Sequence, residues 1–79
     1  MSEPNLKEAV LKEISLILGR EIGPTEDLLV EGGLDSFAML QVVIFLEEFL
    51  GTALPESLIA TDNFATAEVI IAWAGTFEK

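Results

Sequence analysis

Apolar residues recur at helical spacing in three stretches of the chain, separated by segments with no sustained period. From Pro4 to Leu18, the positions Leu6, Val10, Ile14, Ile17 and Leu18 make one stripe with Lys and Glu opposite, which predicts a first helix. Pro4 suits its first turn, Gly19 is a natural stop, and Glu3 with Lys7 and Glu8 with Lys12 are i,i+4 pairs in the favourable orientation.

A second helix is predicted from about Ser36 to Leu50, and it is far more apolar than the first. Of the fourteen positions from Phe37 to Leu50 only Gln41, Glu47 and Glu48 are polar, too few to cover the outer face of a surface helix. At about 100° per residue, Met39, Val42, Val43, Leu46 and Leu50 cluster opposite Gln41 and Glu48 and belong in the core, with Phe49 at its edge. Phe37 and Ile44 fall on the water-facing side and Phe45 at the margin. Either this patch with its acidic rim is a docking surface, or a later segment folds over it.

Residues 20–35, between the two helices, read as a loop with Gly23-Pro24 and Gly32-Gly33 as breakers and Leu28, Leu29 and Val30 as an apolar anchor. A connection of this length is either functional or a sign that an element within it has been misassigned. Its acids do not follow the alternating ligand pattern of an EF-hand. Gly51 ends the second helix, and Leu54-Pro55-Glu56-Ser57-Leu58 predicts a short proline-started turn. A last helix begins at Thr66 as N-cap, with Glu68 in its first turn and Val69, Ile70, Trp73, Ala74 and Phe77 at helical spacing. Trp73 is assigned to the core, and Phe64 is expected to staple into it. The fold class expected is all-α: an antiparallel bundle of three main helices plus one short helix, as a single domain over residues 1–79.

Composition removes most catalytic chemistry. The 79 residues include no cysteine and no histidine, so thiolate or imidazole metal sites and Ser-His-Asp or Cys-His catalysis lack their parts. Fourteen acidic residues against four basic ones leave a net charge of −10, and from Glu21 to Glu78 no basic residue occurs. Such a field disfavours nucleic acid and opposes self-association, so a monomer is expected, and it either favours basic partners or only gives solubility. No run approaches the roughly 20 apolar residues of a membrane span and no secretory signal pattern is present, so the expected compartment is the cytoplasm.

The segment Gly33-Leu34-Asp35-Ser36-Phe37 puts a serine hydroxyl at the start of the most apolar helix. With the loop before it and the helix after it, the sequence resembles the acyl carrier protein family, which includes peptidyl and aminoacyl carriers and has Gly-x-Asp-Ser-Leu as its hallmark. The resemblance continues through Glu47-Glu48-x-x-Gly51, Leu54-Pro55 and Asn63-Phe64-Ala65-Thr66, and so covers nearly the whole chain. It implies that Ser36 carries 4′-phosphopantetheine, added from coenzyme A by a Mg²⁺-dependent phosphopantetheinyl transferase, and that the thiol of that arm bears acyl or aminoacyl groups as thioesters. It further implies a loading ligase and a downstream synthase or transferase as partners, and a non-catalytic role for the chain itself. Partner contacts are expected at Phe37, Gln41, Ile44, Glu47 and Glu48. Asp35 is either the helix cap or a recognition element for the transferase, and from local residues alone Ser36 could simply share the capping role. Gly32 and Gly33 are expected to keep side chains away from an approaching enzyme.

Phe37 stands where the family has Leu, and the outer face of the second helix has Ala38 and Gln41 where fatty-acid carriers have acids. These departures point to a specialised lipid, polyketide or nonribosomal-peptide pathway over housekeeping fatty-acid synthesis. The competing reading is an unmodified acidic interaction module that docks through the second helix. Independent catalysis would have to rely on carboxylates, one Arg and three Lys, with no evident convergent site.

Overall fold

The computed structural model describes residues 5–29 and 32–78, and the expectations for Glu3, Pro4 and Val30 lie outside them. Among the described residues there are three α helices, α1 (Leu6–Leu18), α2 (Ser36–Leu50) and α3 (Ala67–Ala74), and no strand. Short 3₁₀ turns at Glu56–Leu58, Thr61–Phe64 and Gly75–Phe77 complete the all-α fold. The first of these is the predicted proline-started turn, with Pro55 preceding it.

Each helix starts where a side chain can take up an otherwise unpaired N–H group. Asn5 caps α1 by accepting from the Glu8 N–H at 2.8 Å, so the first helix begins at an Asx cap that the reading around Pro4 overlooked. Thr66 caps α3 through its hydroxyl, which accepts from the Val69 N–H at 3.1 Å, as expected. At the other ends, Gly19 and Gly51 adopt φ of 74° and 71°, the left-handed conformation that only glycine takes at little cost.

α1 packs against both α2 and α3. The core contains Val10 and Ile14 from α1, Val42 and Leu46 from α2, Ile70 and Ala74 from α3, and Leu28, Leu34 and Phe64 from the connections. Ala9 and Ala38 are also buried. Ala38 therefore does not lie on the outer face where the sequence placed it. Val69 is 36% exposed and leaves the buried stripe of α3, and Leu50 is only half-buried. Trp73 is half-buried as well: its indole N–H reaches the Asn63 carbonyl at 2.8 Å, and its ring meets Phe64 edge-on at 5.7 Å between centroids. This polar handle holds the ring at the core's margin. The last α helix stops at Ala74, and half-buried Phe77 belongs to the 3₁₀ turn that follows.

The long first connection is tied down rather than free. The Leu28 N–H donates to Ala65 O at 2.8 Å and the Glu68 N–H to Pro24 O at 2.8 Å, which fastens the loop along the start of α3. Arg20 braces it from the other side, pairing with Glu26 at 2.6 Å and approaching Gly32 O at 3.5 Å. The Arg20 hydrogen bond, helped by the Gly23 N–H, holds the Glu26 carboxyl below its ordinary value. A depressed carboxyl supports the fold above the usual carboxylate range, and that support is lost as pH falls through the folded-state value.

Arg20–Glu26 is a single pair among the described residues, against a net charge of −10. Screening the remaining repulsion should therefore stabilise the domain: added NaCl or MgCl2 is expected to raise Tm by a few degrees, on the order of 1 kcal/mol. A flat response in a calorimetric salt titration would contradict this.

Candidate functional site

The loop delivers the chain to α2 through a tight closure. Leu28 accepts the Leu34 N–H on its carbonyl at 2.8 Å, and both leucines are buried, at 0% and 4% exposure. Gly32 fits inside this closure and is itself buried. A Cβ at Gly32 would stand 2.6 Å from Leu28 Cα and 2.8 Å from Asp27 O. Glycine is thus required there by the fold's own backbone, not by an approaching enzyme as the sequence suggested. Gly33 is different: it faces open space with φ of 80°, a turn conformation that aims the next residues at the helix.

Asp35 is the N-cap of α2, with Oδ1 accepting the Ala38 N–H at 2.8 Å and its carbonyl accepting from Met39 at 2.9 Å. The N-cap role therefore belongs to Asp35 and not to Ser36. Ser36 is the first residue of the helix, it is exposed, and its hydroxyl has no hydrogen-bond partner among the described residues. The N–H groups of Ser36 and Phe37 lie in the first turn, where a helix provides no acceptor. A phosphate ester on the Ser36 oxygen would sit beside these donors and the positive end of the helix dipole, so the residues present suit an anionic group. Asp35→Ala should cost about 1 kcal/mol through loss of the cap, while Asp35→Asn should keep most of that stability in a thermal melt.

The exposed face of α2 carries the apolar strip expected from the sequence. Phe37 is 69% exposed and Ile44 49%, so no later segment among the described residues covers them. Leu40, at 50%, joins them. The same helical projection places Leu40 beside Phe37 and Ile44, so its position was readable from spacing. Gln41 and Glu48 are exposed next to the strip. Glu47 is half-buried, and Oε2 accepts the Leu54 N–H at 2.8 Å, so this acid anchors the segment after α2 as well as edging the face. Phe45 and Phe49 are half-buried and pack at 5.8 Å between centroids on the side toward α1.

Among the described residues no group of three His, Cys, Asp or Glu side chains could hold a metal ion, and no helix is long and apolar enough to cross a membrane. The family model for the phosphopantetheine attachment site matches residues 8–74, a span that contains Ser36, all of α2 and all of α3. No curated protein matches the chain.

Proposed function

The chain belongs to the phosphopantetheine attachment site family, and we propose that Ser36 is the residue on which it carries the covalent 4′-phosphopantetheine of that family. The observation that supports this is the Ser36 hydroxyl: it is exposed and without a hydrogen-bond partner among the described residues, at the first position of a 15-residue helix whose cap is supplied by its neighbour. When attached, the group supplies a thiol that holds acyl or aminoacyl cargo as a thioester. The protein's part is to present one oxygen in a fixed place, to offer helix N-terminal donors to the phosphate, and to show its partners the face of α2 that adjoins it.

In this reading the whole chain, 1–79, is one carrier domain acting in the cytoplasm as a monomer, and it is a substrate of its partners rather than a catalyst. A phosphopantetheinyl transferase installs the arm, a ligase loads it, and a synthase or transferase takes the cargo. These enzymes contact Phe37, Leu40, Gln41, Ile44 and Glu48, with Glu47 at the edge. Apolar exposure at three positions of this face and a sparse charged rim support partners that rely on apolar contact. They favour a specialised lipid, polyketide or nonribosomal-peptide pathway over housekeeping fatty-acid synthesis. With Ala38 buried, Gln41 alone now supports the argument from missing acids.

The test is direct. The unmodified protein is incubated with coenzyme A, Mg²⁺ and a broad-specificity transferase, and its intact mass and fragment masses are measured. One phosphopantetheine increment is expected, on the peptide containing Ser36. No increment, or one on another residue, would overturn the assignment and leave the unmodified docking module as the better account.

A further inference from the structure

We propose that the groove between α1 and α2 is a second docking site, which flanks the strip beside Ser36 and meets it at Ile44, and that its occupant is a basic amphipathic helix of another protein. The groove has a volume of about 390 Å³. Its apolar lining is Ala9, Leu16, Phe45 and Phe49, and its polar lining is Glu8, Glu13 and Lys12. Leu16 is 67% exposed, among the most exposed large apolar side chains of the described residues, on a helix whose opposite face already fills the core. Folding therefore does not account for an apolar residue there. Glu8, Lys12 and Leu16 are spaced four apart, so they run as a row along one side of α1 over about two turns.

The shape suits a third helix. A trough bordered by two helices accepts the ridge of side chains that an amphipathic helix presents at one-turn intervals. An adjoining depression of about 420 Å³ shares Glu13 and Phe45 with the first and adds Gln41, Ile44 and Glu48. The two together extend the apolar floor from Leu16 toward Ile44.

Charge selects the kind of helix. Glu8, Glu13 and Glu48 border the two depressions against Lys12 as their one cation among the described residues, and the chain carries −10 overall. A second copy would bring the same sign to the contact, as would an anionic lipid surface or a nucleic acid. A helix with Leu-like residues on one face and Lys or Arg beside them meets both the floor and the rim. Lys12 makes no ion pair among the described residues, so an acid on the incoming helix would fix its register.

This site does not depend on Ser36, so the experiment uses the unmodified full chain. ¹⁵N-labelled protein is titrated with a synthetic Leu/Lys amphipathic peptide about four helical turns long, and in parallel with its Leu/Glu counterpart. Saturable shifts are expected at Ala9, Leu16, Phe45 and Phe49 with the basic peptide only. Leu16→Gln, which alters an exposed position and should fold normally, is expected to weaken binding about tenfold, while Val69→Gln on α3 is expected to leave it unchanged. Absence of binding, equal binding of the acidic peptide, or wild-type affinity in Leu16→Gln would each overturn the proposal. So would shifts confined to Phe37 and Leu40, or spread over every acidic residue.

Discussion

Ser36→Ala should abolish phosphopantetheine transfer and leave the fold intact. The two halves of this expectation have different causes. The hydroxyl is the nucleophile in the proposed modification, and alanine offers no atom in its place, so the mass increment should vanish rather than diminish. The fold should be indifferent, because Ser36 is exposed, its hydroxyl has no partner among the described residues, and the N-terminal cap of α2 is Asp35. Alanine is also a better helix former than serine. Stability within about 0.5 kcal/mol of the wild type is expected. Intact mass after transferase treatment and a thermal melt on the same sample check both halves. An increment that persists in this variant would show that another residue takes the arm.

The largest effect on stability is expected from Gly32→Ala. The added methyl group would meet backbone on two residues, with Leu28 Cα at 2.6 Å, Asp27 O at 2.8 Å and Leu28 O at 2.9 Å. None of these atoms can swing aside as a side-chain tip could. Leu28 is also held from both sides, by Ala65 O on its N–H and by the Leu34 N–H on its carbonyl. Relief therefore requires the loop to move and two buried leucines to shift with it. A cost of about 3 kcal/mol is expected, near the upper end for overpacking. In a domain of this size that would lower Tm by roughly 10–25 °C. Gly33→Ala is the informative comparison: its Cβ meets nothing within 4 Å, and its cost should be only about 1 kcal/mol, from the positive φ of 80°. Equal melting temperatures for the two variants would refute the steric account.

The same contrast shows how much could be read from the chain alone. The boundaries of α2 were legible because Asp35 and Gly51 are local signals, a cap and a left-handed stop that act within one turn. The exposure of Phe37 and Ile44 was legible because an overfilled helix must leave something outside. Ala9 and Ala38 gave no warning of their burial, since an alanine adds little to a hydrophobic period. Gly32 and Gly33 are identical letters, and only the approach of residues 27 and 28 in space separates a packing requirement from a conformational one. The 3₁₀ turn at Thr61–Phe64 was missed for a related reason. It is too short for any period, and it is held by the burial of Phe64 and by the Trp73 N–H on Asn63 O. At the candidate site, Asp35 and Ser36 were singled out from sequence, but that Asp35 is the one that caps the helix became visible only in the hydrogen bonds.

Trp73 is the sole tryptophan of the chain, and its indole is bound to Asn63 and edged against Phe64. The intrinsic fluorescence of this protein is consequently a gauge of one seam, where the 61–64 turn closes on α3. Denaturation should open that seam and shift the emission to the red. Chemistry at the start of α2 has no indole of its own to report it, so any change in emission on modification would mean that the disturbance had travelled through the core to this seam.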